Sequence, residues 1–198
     1  MCRLVIYTNT GNSNRVLVRE EKEYYQRLVE CHKPKILNLE LGEAIVVRNV
    51  GGFVAAYGEE GTCPSCHVAI EYAVKELQIE HILVIGHTDS DAIQSLMKVH
   101  DEEKSHFSEH FKNWLNLCER TCEKVKQVHS SKSIAEQCTL CEKECIDLSM
   151  QNLLTYPFVK EAVSANKISI HAGLYDMHNC TFDHGSLDYS DTESEKYH

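Results

Sequence analysis

The chain has 198 residues, a formal net charge of −10 and a hydrophobic fraction of 42%, which is typical of one globular domain and not of a disordered chain. The acidic balance argues against a nucleic-acid backbone or an anionic membrane surface as the main partner, and no apolar run approaches the ~20 residues that span a bilayer. Because the N-terminus lacks the pattern of a signal or transit peptide, we expect a cytoplasmic protein.

Strand and helix patterns alternate along the chain. The first predicted strand is the short apolar run Arg3–Tyr7, and the clearest strand is His81–Ile85, which ends at Gly86. Further strands are predicted at 35–39, 44–48 and 167–171, and helices at 18–31, 65–77, 91–100, 107–127 and 133–154. This alternation predicts an α/β fold with a parallel sheet covered by helices on both faces.

The last residues have a different composition from the rest. The segment 183–198 is polar and acidic and has almost no aliphatic side chains. Such a segment cannot bury enough apolar surface to offset the entropy of ordering it. We therefore expect a single domain over 1–182 and a disordered tail over 183–198.

Three polar segments follow predicted strands: Thr8–Arg15, Arg48–Gly52 and Gly86–Asp91. In parallel α/β sheets, ligands bind outside the carboxyl ends of the strands, so we expect these segments to form one site. Cys2 stands at the opposite end of the first strand, about 20 Å away, and is expected to be a poor metal ligand for that site.

Five motifs, in order along the chain, resemble those of one enzyme family. They are LGEAIVVRNVGGFV (41–54), IEYAVKEL (70–77), ILVIGHTDSDAI (82–93), QNLLTYPFV (151–159) and ISIHAGLYDMHN (168–179). Together they make the chain similar to the β-class carbonic anhydrases. The resemblance implies a parallel-centred sheet flanked by helices, a zinc cofactor and a homo-oligomer, usually a dimer.

The resemblance also indicates where zinc ligands should lie. The family binds zinc through the His and Cys of a G-H-x-x-C motif and through the Cys of a C-x-D-S-R motif after the first strand. His87 occupies the His position of the former, but Ser90 stands at its Cys position and Asp91 at the glycine that follows.

The first-strand motif departs further from the family. If Arg15 is aligned with the family arginine, the Cys and Asp positions fall on Gly11 and Ser13. If the motif is counted from the end of the strand, they fall on Thr8 and Thr10. Neither alignment supplies a thiolate or a carboxylate, so two of the three family zinc ligands are missing.

The missing ligands bear directly on the chemistry. Zinc with three protein ligands and one open position lowers the pKa of bound water from about 15.7 to about 7, a value for which a carbonic anhydrase is itself the reference case. A neutral serine hydroxyl is a poor zinc ligand compared with a thiolate. The resemblance therefore implies that ordinary β-class catalysis fails in this chain.

A Cys-Pro-Ser-Cys-His segment could supply substitute ligands. Cys63 and Cys66 lie at the start of the helix predicted over 65–77, and C-x-x-C at a helix start can bind zinc or have a lowered thiol pKa. By the resemblance this segment could approach the cleft, where Cys63, Cys66 and His87 would bind zinc with Asp91 or His67 as the fourth ligand. The alternative is that the two cysteines are small residues at a helix start.

A second group of cysteines lies on two predicted helices. Their spacing places the members of each helix on one face, so the two faces could meet in a helical hairpin. Such a contact would be a closed zinc site or a close packing of small side chains, and we expect the packing. The charged residues around them, including Glu142, are interpreted as solvated helix faces. The group consists of Cys118, Cys122, Cys138, Cys141 and Cys145.

Three functions remain open. The missing ligands favour a non-catalytic protein with a degenerate zinc site, acting in a homo-oligomer or protein assembly or binding a small anion such as bicarbonate near Arg48, Asn49 and Gly51. The second is a zinc-dependent carbonic anhydrase, converting carbon dioxide to bicarbonate with the rebuilt ligand set. The third is a cysteine-based redox or metal-sensing protein.

Overall fold

The computed structural model describes residues 3–7, 44–59, 64–98 and 107–186. The helix predicted at 18–31, the strand at 35–39 and the end of the tail, 187–198, lie outside this part of the chain. The described elements are, in chain order, β1 (Arg3–Tyr7), β2 (Ala44–Arg48), a 3-10 turn (Val50–Gly52), α1 (Pro64–Lys75), β3 (His81–His87), α2 (Asp91–Lys98), α3 (Glu109–Val128), α4 (Ile134–Leu153), α5 (Pro157–Ser164), β4 (Ser169–Asp176) and β5 (Thr181–Ser186).

The five strands form one sheet in the order β2-β1-β3-β4-β5. Strands β3 and β4 are parallel, whereas β1 is antiparallel to both of its neighbours and β5 is antiparallel to β4. The α/β class with a sheet flanked by helices is confirmed, but the sheet is mixed and not parallel throughout. The apolar pattern of a five-residue strand is the same in both directions, so it could not indicate the direction of β1.

The direction of β1 decides which residues reach each edge of the sheet. Its first residue, Arg3, is the register partner of Arg48 and Ile85. Its last residue, Tyr7, is the partner of His81, at the start of β3. The edge that contains the end of β3 therefore receives the start of β1 and not its end.

This direction corrects two expectations. The segment Thr8–Arg15, which itself lies outside the described residues, follows the β1 end that is opposite to the edge of His87. Cys2 also lies outside the described residues, but it precedes Arg3, whose register partners belong to the His87 edge. The argument from distance against Cys2 is therefore wrong.

Two hydrophobic clusters hold the layers together. One joins the sheet to α1, α4 and α5 and includes Ile70, Ile82 and Tyr156, all fully buried. The Tyr156 hydroxyl donates to the carbonyl of Ala55 at 3.1 Å, so this buried polar group is paired. The other cluster joins α2, α3 and α4 and contains all five helical cysteines.

Two elements escaped sequence analysis. Helix α5 has only eight residues and begins at Pro157, where proline's missing N–H costs nothing. Strand β5 extends to Ser186 through its pairing with β4, which moves the end of the ordered domain at least to Ser186. Its sequence, TFDHGS, is mostly polar, because an antiparallel strand at the edge of a sheet need not carry apolar side chains on both faces.

Candidate functional site

His87 is the last residue of β3 and lies opposite Tyr175 of β4. Its Nδ1 is 2.7 Å from the carbonyl oxygen of Thr88. Because a carbonyl only accepts, Nδ1 carries the proton in this contact. The histidine that the family resemblance indicates is thus half-buried at the end of β3.

Ser90, at the family's cysteine position, is oriented by a buried carboxylate. Its backbone N–H donates to Oε1 of Glu142 at 2.8 Å, and both residues are only 1% exposed. Within the described residues, neither Ser90 Oγ nor Glu142 Oε2 has a hydrogen-bond partner. Burial, followed by the nearby charge of Asp89, raises the pKa of Glu142 to about 7 from its ordinary 4.5.

Glu142 corrects the interpretation of its surroundings as a solvated helix face. The residue lies four positions after Cys138 and three before Cys145, on the buried face of α4. That spacing is the signal in the sequence that could have identified it as buried. The lone carboxylate is therefore part of the core beneath the loop that follows β3.

The loop after β3 is tied to the turn between β4 and β5. The N–H of Thr88 donates to the carbonyl of Tyr175, and the hydroxyl of Thr88 accepts from the N–H of Met177, both at 2.9 Å. Asp89 pairs with His178 at 2.9 Å, but both side chains are largely exposed, so this pair contributes little stability. Sequence analysis missed Glu142 and His178, which both reach this loop from distant parts of the chain.

The predicted anion-binding residues lie at the end of β2: Arg48 is its last residue, and Asn49 and Gly51 follow it. Asn49 and Gly51 each lie close to other parts of the chain. The Asn49 amide donates to the carbonyl of Phe53 at 2.8 Å and contacts Cys66 Sγ at 3.6 Å. Gly51 has a positive φ of 73°, and a Cβ at this position would lie 2.8 Å from the Trp114 ring. Arg48 is half-buried at the end of β2. An anion site at Arg48, Asn49 and Gly51 stays a prediction, and the Asn49 amide is already used in the two contacts given above.

Of the predicted substitute zinc ligands near His87, the structure describes Cys66, His67 and Asp91. Cys66 contacts Asn49 at the end of β2, so α1 begins near the predicted cleft. The half-buried His67 ring packs edge-on against Tyr156, with centroids 5.2 Å apart. Asp91 is the exposed first residue of α2, and Cys63 lies outside the described residues.

Donor geometry offers no support for zinc in the described part of the chain. Among these residues, no three His, Cys, Asp or Glu side chains are arranged to hold a metal ion. At position 90 the family thiolate is replaced by a neutral hydroxyl. The described residues therefore do not fit the family's zinc, and the set with Cys63 stays a prediction.

All five helical cysteines are buried where α3 and α4 meet. The sulfur atoms of Cys122 and Cys141 are 2.7 Å apart. Interaction with the Cys118 thiol, together with burial, raises the pKa of the Cys145 thiol well above its usual range. Packing of small side chains, the expected arrangement, is what the structure shows here.

Comparisons with known proteins agree with the fold. A sequence profile described as carbonic anhydrase matches residues 30–182. "Beta carbonic anhydrase 3" of Arabidopsis thaliana is 40% identical over 157 residues, which are 79% of this chain and 60% of that protein. The chain thus spans about three fifths of the length of this relative.

Two solved structures show the same fold at low identity. The β-carbonic anhydrase CcaA superposes with a TM-score of 0.71 at 22% identity, covering 82% of this chain and 84% of the other. One of two tetrameric β-carbonic anhydrases from Sordaria macrospora superposes with a TM-score of 0.63 at 18% identity, covering 80% and 77%.

The profile match and the 40% identical relative together define the class of protein. The chain belongs to the β-carbonic anhydrase family. Within its described residues, no helix is long and apolar enough to cross a membrane.

Proposed function

We propose that this chain is a β-carbonic anhydrase family member with a degenerate zinc site that does not hydrate carbon dioxide and that acts as a non-catalytic subunit of an oligomer. The observation that carries the proposal is the environment of Ser90. Its hydroxyl replaces a thiolate, and its backbone N–H is bound to Glu142. Without a thiolate at this position, His87 is the one residue of the G-H-x-x-C motif that still matches a zinc ligand of the family.

Charge supports the same conclusion. Anionic donors help to offset the loss of the zinc ion's hydration, and thiolates provide this in the family. The carboxyl group hydrogen-bonded to Ser90 is that of Glu142, but its raised pKa of about 7 indicates a carboxyl that is partly neutral at physiological pH. Its Oε1 is also occupied by the Ser90 N–H.

An oligomeric role is supported by exposed apolar side chains near one sheet edge. Strand β2 is an edge strand among the described strands, and its Val46 is 47% exposed. Val50, just after β2, and Val68 and Tyr72 on α1 are also largely exposed, although α1 packs near β2. Exposed apolar groups beside the edge strand of a sheet are typical of a contact with another chain. A second copy of this chain is the proposed partner, and a cytoplasmic location stays a prediction.

A zinc lyase with a rebuilt ligand set is the second candidate. One observation favours it: the contact of Cys66 with Asn49, which places this thiol at the end of β2. Arg3, the neighbour of Cys2, has its register partners at the same edge. Thiolates from Cys2, Cys63 or Cys66 could then complete a site with His87.

The two candidates are separated by the zinc content of protein purified and dialysed after exposure to zinc. The non-catalytic proposal expects much less than one zinc per chain, with no difference between wild type, His87→Ala and the exposed control His110→Ala. Close to one zinc per chain, lost in His87→Ala and kept in His110→Ala, would overturn it. Cys2→Ser, Cys63→Ser and Cys66→Ser would then identify the thiolate ligands of the second candidate.

A further inference from the structure

Four buried thiols lie where α3 and α4 meet. Cys122 and Cys141 are in direct sulfur contact at 2.7 Å. Cys118 and Cys122 lie on α3, and Cys141 and Cys145 lie on α4.

The pairing follows from the antiparallel packing of the two helices. Cys118 and Cys122 are four residues apart on α3, and their partners Cys145 and Cys141 are four residues apart in the opposite direction on α4. One helical register therefore brings both pairs together. The same register sets Cys138 opposite Val125, so Cys138 has no cysteine facing it across the contact.

The short distance between the Cys122 and Cys141 sulfur atoms favours disulfide formation over zinc binding. Two thiolates bound to one tetrahedral zinc at about 2.3 Å each lie about 3.8 Å apart. Cys122 and Cys141 are much closer, at 2.7 Å, and their sulfur atoms need to approach by less than 1 Å to reach the ~2.05 Å of a disulfide. The described residues also contain no metal-holding group of three side chains.

We propose that Cys122 and Cys141 are an oxidisable dithiol that forms a disulfide between α3 and α4 when the protein meets a peroxide. The two thiols and one hydrogen peroxide give one disulfide and two waters. The O–O bond breaks as peroxide takes two electrons from the sulfur atoms, and both thiol protons leave in the water formed. Cys118 and Cys145 form the second pair available to the same reaction.

Burial determines the rate of this reaction. Cys122 is 3% exposed and Cys141 is completely buried. The hydrogen bond with Cys141, followed by burial, raises the pKa of Cys122 far above its usual range, so little reactive thiolate is present. Oxidation is therefore slow, on the scale of local opening of the hairpin, and the disulfide once formed is protected from reductants in the same way.

Disulfide mapping of the intact chain tests the proposal. Native protein is incubated for hours with hydrogen peroxide, denatured, alkylated and digested without reductant. We expect a cross-linked peptide joining Cys122 to Cys141 in wild type and in the control Cys138→Ser, and none in Cys122→Ser. The exposed Cys180 reports that the oxidant has acted on every sample.

Thermal melting gives a second measurement that does not depend on the variants. Oxidised wild type should melt at a higher temperature than reduced wild type, because the bond closes a loop in the unfolded chain, and dithiothreitol should reverse the shift. Full alkylation of Cys122 and Cys141 after Cys180 has been oxidised would overturn the proposal. A disulfide that joins Cys141 to another cysteine instead would also overturn it.

Discussion

The backbone N–H of Ser90 donates to Oε1 of Glu142 at 2.8 Å, and this bond ties the loop after β3 to the middle of α4. The two residues are 52 positions apart in the chain, and both are buried. Burying a carboxylate is costly, and the raised pKa of Glu142 reflects that cost. In the family this position carries a zinc ligand, whereas here its residue, Ser90, is hydrogen-bonded to a buried side chain of the core.

Replacing Glu142 by Gln should make stability less dependent on pH. The folded pKa of about 7 lies above the ordinary value of 4.5, so the folded state holds this proton more tightly than the unfolded state. The favourable effect of that proton is complete below pH 4.5 and is lost as pH rises to about 7. Glutamine keeps an oxygen that accepts from Ser90 without this loss. Relative to wild type, Glu142→Gln should gain up to about 3 kcal/mol of unfolding free energy between pH 4.5 and 7.5.

Denaturant unfolding at several pH values measures this difference, and Glu136 provides a control of opposite sign. Hydrogen bonds from Ser133 hold the pKa of Glu136 below its usual value. The stabilising effect of Glu136 is thus present above its unfolded pKa and lost as pH falls, so Glu136→Gln should lose stability relative to wild type as pH rises. A pH-independent difference for Glu142→Gln would show that Glu142 is not buried as a partly neutral acid.

Adding a methyl group at Gly51 should destabilise the segment after β2. The residue has a positive φ of 73°, and its new Cβ would lie 2.8 Å from the Trp114 ring. A left-handed conformation costs a non-glycine residue about 1–2 kcal/mol. The clash adds to this, because Trp114 is held in place by its bond from Nε1 to the carbonyl of Val50. Gly51→Ala should therefore lower the unfolding free energy by more than the backbone cost alone.

Gly58 separates the two contributions. It has a similar φ of 79°, but nothing lies within 4 Å of a Cβ built there. Gly58→Ala should show the backbone cost only. Equal losses for the two variants in denaturant titrations would mean that Trp114 moves aside freely.

A thiolate at position 90 should raise zinc affinity. Ser90→Cys restores the family's G-H-x-x-C spacing with His87, and a thiolate is a far better zinc ligand than a hydroxyl. Zinc competition with a chromophoric chelator should show tighter binding than wild type, lost again in the double variant with His87→Ala. Ser95→Cys, on the exposed face of α2, is the matched control and should bind like wild type. Equal affinities for Ser90→Cys and Ser95→Cys would show that the cleft differs from the family in shape as well as in ligands.

A strong chelator should leave the melting temperature of reduced protein unchanged. The five helical cysteines pack with one another, and a bound metal is not needed to explain their burial. Cys141→Ser should cost about 1–3 kcal/mol, because it buries a hydroxyl in place of a thiol. Cys180→Ser, at an exposed position, should cost little. A drop of many degrees on adding chelator to wild type, absent in Cys141→Ser, would instead establish a closed metal site.

The sequence predicted those elements whose patterns depend on local residues. The unbroken apolar run of β3 and the long amphipathic helices α3 and α4 were placed within a few residues of their observed bounds. The direction of β1 could not be predicted, because it depends on which strand the segment pairs with and not on its own residues. For the same reason the sequence placed Thr8–Arg15, and not the start of β1, at the His87 edge.

The candidate site was predicted in part. His87 and Ser90 could be found because the G-H-x-x-C motif occupies five consecutive positions of the chain. Glu142 was missed because charged neighbours on α4 suggested a solvated face, and only its contact with a loop 52 positions away reveals its role. The contact of Cys66 with Asn49 and the packing of Trp114 on Gly51 were not predicted.

Stopped-flow hydration of carbon dioxide, with zinc added to the protein, measures whether this chain is a catalyst. With Ser90 in place of the thiolate, we expect a rate equal to the uncatalysed rate for both wild type and His87→Ala. A zinc-dependent rate above the uncatalysed rate in wild type that disappears in His87→Ala would show that the chain is an active carbonic anhydrase.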